Sequence, residues 1–186
     1  MDSRIELNGV FYIGLALSFV LIPIRWVFAW FAASFVHELC HLIALRIFRC
    51  DVKTIRFGIF GAVITGAPMS DFPAIICSLA GPIGSFLLCF LSRWIPRIAV
   101  CGLIQCVYNL IPIQPLDGSK ILERILSMCF SENVKKLITM IVRYIVFICL
   151  IISCVILCRT SLGLIPLFAA VMVIVSCRKN SLQNGS

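Results

Sequence analysis

Charged side chains are scarce in this chain, and histidine is scarcer still. Asp, Glu, Lys and Arg make up 13% of its 186 residues, and there are two histidines. Hydrophobic residues make up 61% of the chain, whereas about 45–50% is usual for a soluble domain. The composition therefore excludes an ordinary soluble protein and indicates that the chain lies in a lipid bilayer.

The sequence also lacks the features that would mark a second module. No polar block, low-complexity tract or internal repeat interrupts the apolar segments, so we expect one membrane domain over residues 1–186. The first apolar segment has no basic leader, because Asp2 and Glu6 balance Arg4, and no small-residue cleavage site follows it. We therefore interpret it as a retained transmembrane helix and not as a signal peptide.

Neither a disulfide framework nor a nucleic-acid interface is expected. The 11 cysteines are scattered along apolar segments at no motif spacing, which indicates small apolar side chains in a reducing compartment. The formal net charge is +8, but the basic residues lie at the ends of apolar segments, as they do in membrane proteins. The expected partner of these charges is the bilayer, not nucleic acid.

Six apolar segments predict an all-α polytopic membrane protein with about six transmembrane helices. The first, fourth and sixth segments are short for a full crossing, which takes about 20 residues. If both termini lie inside, 12 of the 16 Lys and Arg residues lie on that side. We therefore expect both termini in the cytoplasm. The segments are Gly9–Ile24, Trp26–Phe48, Phe72–Leu91, Ile98–Pro112, Leu137–Leu157 and Leu162–Cys177.

The stretch 51–66 has a different composition from these segments. It is rich in β-branched and aromatic residues, with Gly58, Gly61 and Gly66 between them. This pattern favours a small membrane-associated β-hairpin near the cytoplasmic surface. An irregular loop is the alternative.

Both histidines lie in the string His37-Glu38-Leu39-Cys40-His41, inside the second apolar segment. Residues i and i+4 share one face of a helix, so both imidazoles can bind one metal ion, with Glu38 placed to act as a base toward water. A glutamate in an apolar segment is costly without a role, which argues against chance placement. Cys40 would face away from the two histidines, so we expect it to fill space and not to be a fourth ligand.

A catalytic zinc site needs a third protein ligand, and Asp117 is the acid that is hardest to explain otherwise. It follows a stretch in which prolines break the helix and in which Asn109 and Gln114 place polar groups at membrane depth. Polar groups at such positions usually mark function. The alternative is that Asp117 is an ordinary N-cap of the helix that follows it.

Two motifs together carry a resemblance to a known family. With Asn109-x-x-Pro112-x-x-Pro115-Leu116-Asp117-Gly118 added to His37-Glu38-x-x-His41, the chain resembles the site-2 protease (M50) family of intramembrane zinc metalloproteases. It is most similar to the bacterial sporulation factor IVFB subgroup, which has six spans and an active site that faces the cytoplasm. This resemblance implies that the protein lies in a bacterial cytoplasmic membrane. The resemblance covers nearly the whole chain, and the paired motifs at this separation are specific.

The resemblance implies a role for each matching position. His37, His41 and Asp117 would bind one zinc ion per chain, and Glu38 would be the general base. Asn109 would position the substrate or support the metal ligands.

Further positions of the same motifs would form the surroundings of this site. Pro112, Pro115 and Gly118 would line the substrate or support the ligands. Gly81 and Pro82 resemble the family's Ala-Gly-Pro element, a close-packing site beside the metal helix. The stretch from Lys53 to Gly66 resembles the family's membrane-embedded hairpin, which is expected to pair with an extended substrate strand.

The sequence departs from the family pattern in a few places. Ser85 stands near the position where the family often carries Asn, and Ser119 replaces the second Gly of the common Asp-Gly-Gly. Neither departure removes a ligand. The subgroup's nucleotide-binding CBS domain and the PDZ insert of other members have no counterpart in the sequence, so regulation by an appended domain is not expected.

These observations predict an enzyme that cleaves a membrane-tethered protein within or near its transmembrane segment. The alternatives are a catalytically inactive relative that binds or sequesters such substrates, a metal transporter and a structural scaffold. The protease is favoured because no ligand is lost and because the strong polar groups converge on the second and fourth segments only. A regulatory membrane partner or a homo-oligomer is compatible with the sequence.

Overall fold

The computed structural model is mostly helical and describes residues 4–7, 19, 22–50, 52–58, 61–66 and 69–157. The chain divides into two compact units, Met1–Leu110 and Ile111–Ser186. The elements in chain order are strand β1 (Arg4–Leu7), helix α1 (Ile24–Ile47), strands β2 (Val52–Gly58) and β3 (Gly61–Gly66), helix α2 (Asp71–Leu87), a 3-10 helix (Leu88–Leu91), and helices α3 (Pro96–Asn109), α4 (Asp117–Cys129) and α5 (Glu132–Leu157).

A small three-stranded sheet belongs to the first unit. Strands β2 and β3 pair antiparallel, with Ile55 opposite Ile64 and Gly58 opposite Gly61. They occupy the stretch in which the sequence favours a hairpin. Strand β1 adds to the outer side of β2 in parallel, with Ile5 opposite Ile55. This third strand was not anticipated, because four residues carry too short a pattern to read. The membrane association of the hairpin stays a prediction.

Helices α1, α2 and α3 pack on one another in alternating directions. His41, late in α1, contacts Cys77 early in α2, whereas His37, one turn earlier in α1, contacts Ser85 late in α2. The thiol of Cys89, just after α2, lies 3.9 Å from the carbonyl oxygen of Ala99, early in α3. Each helix is therefore antiparallel to the next, and α1 and α3 run parallel.

Small side chains fill the contact between these helices, and large apolar ones face outward. The buried cluster consists of Ala29, Ala33, Cys101 and Leu88. Small residues let helix backbones approach closely, which is how helices associate in lipid, where outward-facing apolar side chains carry no penalty. The most exposed large apolar side chains include Phe28, Phe35, Ile47, Phe72, Phe90 and Trp94.

Three described helical segments are long and apolar enough to cross a membrane. They are Ile24–Ile47, Asp71–Leu91 and Glu132–Ser153, and they match the second, third and fifth predicted segments. The fourth predicted segment forms α3, which has 14 residues and ends at Asn109 instead of Pro112. At 1.5 Å per residue it is about 21 Å long, shorter than the hydrocarbon core of about 30 Å.

The first and sixth predicted segments, and the C-terminal tail, fall mainly on residues outside those described. Within the second unit, α4 and α5 follow each other across a short break at Phe130 and Ser131. Helix α5 begins at Glu132, five residues before the predicted start of the fifth segment. The prediction of six transmembrane helices therefore stays a prediction.

Replacing Gly102 with alanine tests the close packing of α3 on α2. A Cβ atom at this position would lie 2.6 Å from the carbonyl oxygen of Ser85 and 3.0 Å from Cδ1 of Leu88. We expect Gly102→Ala to lower the free energy of unfolding in detergent by about 1–3 kcal/mol, because the two helices must separate. The matched variant Leu103→Ala removes an exposed side chain and is expected to change it by less. Equal effects of the two variants would contradict this packing.

Candidate metal centre

The two histidines of α1 point at one place. His37 and His41 are both buried, and their Nε2 atoms lie 3.1 Å apart. The four-residue spacing produces this arrangement, because residues i and i+4 lie one above the other on a helix. Two ring nitrogens at this separation can bind the same ion.

Hydrogen bonds with residues of α2 orient both rings. Nδ1 of His41 donates to the carbonyl oxygen of Cys77 at 2.6 Å. A carbonyl oxygen only accepts, so Nδ1 carries the hydrogen and the neutral ring has its lone pair on Nε2. Nδ1 of His37 lies 2.9 Å from Oγ of Ser85, which is fully buried. In metal sites the second ring nitrogen of a ligand histidine is commonly held in this way.

Gly81 on α2 provides the space beside the rings. A Cβ atom at position 81 would lie 2.6 Å from Cε1 of His41 and 2.7 Å from Nε2 of His37. Any other residue would displace the imidazoles, so the glycine is required here for close approach. Pro82, the next residue, is fully buried inside α2. Both were predicted to lie beside the metal helix, and Gly81 contacts the two rings directly.

Asp117 is the first residue of α4, and its side chain is buried. The N-cap of this helix is Leu116, whose side chain makes no capping hydrogen bond. The alternative that Asp117 is an ordinary N-cap is therefore wrong. Nζ of Lys120, one turn along α4, donates to Oδ1 of Asp117 at 2.8 Å.

His37, His41 and Asp117 form a group that could hold a metal ion. All three are buried, and one ligand atom from each lies within 4.8 Å of the others. Two imidazoles and a carboxylate are the ligand types of a catalytic zinc site. Two nitrogens that bind zinc at about 2.0–2.1 Å with a tetrahedral angle are about 3.3 Å apart, close to the observed 3.1 Å. The donor set and the ring geometry fit zinc.

Cys40 is not part of this group among the described residues. Its Sγ lies against Gly84 of α2, where a Cβ atom would come within 2.9 Å of Cys40 Cβ. The cysteine therefore fills the contact between α1 and α2, as its position on the helix predicts.

The remaining predicted site residues lie on α1, on α3, on α4 or in the segment between α3 and α4. Glu38 is half-buried on α1, between the two histidines. Asn109 is half-buried at the end of α3, and its Nδ2 donates to the backbone oxygen of Gln105 at 3.1 Å. Pro112 and Pro115 are half-buried between α3 and α4, and Gly118 is the buried second residue of α4.

Gln105 is a polar residue whose importance sequence reasoning missed. It is 3% exposed, and its Nε2 donates to the carbonyl oxygen of Trp30 at 3.1 Å and to Oγ of Ser34 at 2.7 Å. Its buried Oε1 has no hydrogen-bond partner among the residues that the structure describes. A glutamine one turn before Asn109 in an apolar segment is a signal that could have found it.

Ser85 and Lys120 are also functional candidates, and their positions explain why the sequence did not reveal them as such. In the sequence, Ser85 stands out only as a departure from a family pattern, and its contact with His37 joins residues 48 positions apart. Lys120 reads as an ordinary exposed cation in the first turn of a helix.

The chain is similar to a known protein family over part of its length and to a solved structure over most of its length. Residues 91–153, about a third of the chain, match the model of Peptidase family M50. No curated protein matches the chain. Among solved structures, the chain is similar to the Site-2 Protease from Methanocaldococcus jannaschii, with a TM-score of 0.72, 20% identity, and coverage of 96% of this chain and 91% of that chain. At this identity the similarity establishes the fold.

Replacing Ser85 with alanine tests whether α2 orients a metal ligand. The change removes the hydroxyl beside Nδ1 of His37 and keeps the side chain small. We expect zinc affinity, measured by competition with a chelator, to fall about 10- to 100-fold. Ser92→Ala makes the same change at an exposed position and is expected to leave the affinity unchanged. A wild-type affinity in Ser85→Ala would show that this contact does not orient the ligand.

Proposed function

We propose that the protein is an intramembrane zinc metalloendopeptidase that cleaves a membrane-associated protein substrate. The observation that carries the proposal is the buried group of His37, His41 and Asp117, with Glu38 between the histidines. The M50 model matches the region that contains Asp117 but not the region that contains the histidines. The fold of the site-2 protease and the His-Glu-x-x-His string therefore support the proposal independently of that match.

The roles of the residues follow from their chemistry. His37 and His41 would bind zinc through Nε2, and Asp117 through its carboxylate. Zinc, when bound, supplies Lewis acidity that makes water more acidic and polarises a carbonyl group. The carboxylate of Glu38 would take the proton from the attacking water and later donate it to the leaving amine.

The substrate must reach this site in an extended form. A peptide bond in a helix is shielded by its own hydrogen bonds, so a transmembrane substrate has to unwind locally. Helix-breaking residues in the substrate lower the cost of unwinding. Asn109 offers a polar side chain at the end of α3 for the freed backbone groups. We further propose that the site opens toward the cytoplasm, because the basic residues are concentrated on that side.

Within this class, the candidate substrates are membrane-tethered transcription factor precursors, anti-sigma factors and leftover signal peptides. A sporulation sigma-factor precursor is a candidate only through the resemblance to the IVFB subgroup. That subgroup assignment stays a prediction.

The metal content of the purified protein tests the ligand assignment. We expect about one zinc per chain in the detergent-solubilised wild type, and little or none in His41→Ala and Asp117→Ala, because each variant leaves only two ligands. Glu132→Ala removes an exposed carboxylate of α5 and is expected to retain the metal. If folded wild-type protein contained no zinc, this would contradict the proposal of a metalloprotease and would favour a binding protein or a scaffold.

Replacing Glu38 with glutamine separates metal binding from catalysis. We expect Glu38→Gln to keep its zinc and to lose cleavage of a membrane-tethered substrate by about 10²- to 10⁴-fold, because the general base is removed. Glu132→Gln is the matched control at an exposed site. Cleavage by Glu38→Gln at the wild-type rate would show that Glu38 is not the base.

The same cleavage assay tests the alternative function, a protein that binds substrates without cutting them. A wild type that binds zinc and retains the candidate substrates without cutting any of them would favour a protein that sequesters substrates.

A further inference from the structure

Lys120 forms an ion pair with the carboxylate proposed to bind the metal. Its Nζ lies 2.8 Å from Oδ1 of Asp117. The lysine side chain is 48% exposed, whereas the Asp117 side chain is 7% exposed. A half-exposed cation therefore reaches a buried anion within the first turn of α4.

The second unit contains a similar pair in a different environment. Lys135 and Glu132 have the same three-residue spacing, in the first turn of α5, and lie 3.0 Å apart. There the carboxylate is 69% exposed, so solvent screens the pair and it contributes little. The two pairs share spacing and helix position but differ in the burial of the acid, which makes Lys135 a matched reference for Lys120.

The buried pair constrains how Asp117 can bind a metal. A carboxylate can bind a metal ion through one oxygen or through both. An ammonium group that donates to Oδ1 competes with the ion for that oxygen, and directs the ion to Oδ2. A catalytic zinc site needs three protein ligands and one position open to water. Binding through both oxygens would add a fifth donor that crowds the water in that position.

We propose that Lys120 is a positioning residue that restricts Asp117 to binding the metal through one oxygen, and so keeps a coordination position open for water. This inference rests on the proposed function, because it requires a metal bound by His37, His41 and Asp117. It adds a residue outside the ligand set and the catalytic base, and it explains why a cation lies beside a buried ligand at the start of α4.

Cobalt substitution tests the inference directly. Co²⁺ absorbs visible light more strongly in four-coordinate sites than in five-coordinate ones. We expect wild type, Lys120→Met, Lys120→Arg and Lys135→Met each to bind about one ion per chain. Lys120→Met should show a weaker visible band and cleavage reduced by about 10- to 100-fold. Lys120→Arg keeps the cation and should retain the strong band, as should Lys135→Met.

The outcomes distinguish this inference from the proposed function. Wild type that binds neither zinc nor cobalt would contradict the proposed function, and the inference with it. If wild type binds metal and cleaves, an unchanged band and rate in Lys120→Met would overturn the inference alone. Loss of the ion from Lys120→Met would also overturn it, because the lysine would then be needed for binding itself. A weak band in Lys120→Arg would show that the charge is not the cause.

Discussion

The close approach of α2 to α1 is the constraint on which the metal centre depends. Gly81 leaves room for both imidazole rings, and the Cys77 carbonyl on the same helix fixes the tautomer of His41. The space and the hydrogen bond come from one helix, so a displacement of α2 would change both together. The orientation of the ligands is therefore a property of helix packing, and the His-Glu-x-x-His string alone does not determine it.

The two acids of the proposed site are accommodated in different ways. A buried carboxylate is costly unless it is paired or hydrogen-bonded. Asp117 has Lys120 beside it and lies at the N-terminus of α4, where the helix dipole favours a negative charge. Glu38 lies in the middle of α1 and is half-buried. This difference in burial suits the proposed roles, since a ligand must stay fixed whereas a base must exchange a proton with water.

Much of the helical fold and the metal group could be predicted from the sequence, but the supporting contacts could not. The spacing of His37 and His41 determines their shared face through helix geometry alone. Helix α3 ends at Asn109, although the apolar pattern runs on to Pro112. A proline does not continue a helix. The predicted end was too late because hydropathy does not report where a helix stops. Ser85 and Gln105 were missed as partners because their contacts join residues distant in the chain, and no local pattern records which helices become neighbours.

The two hydrogen bonds of the Gln105 side chain have a further consequence for the geometry along the helix axes. They tie one level of α3 to Trp30 and Ser34 of α1. Helices α1 and α3 run parallel, and Gln105 contacts Ser34. Glu38 lies four residues beyond Ser34, and Asn109 lies four residues beyond Gln105, which is about 6 Å along each helix. Sliding one helix past the other would break both bonds. The two bonds therefore fix the position of the proposed base, Glu38, relative to the substrate-facing amide of Asn109 along the helix axes.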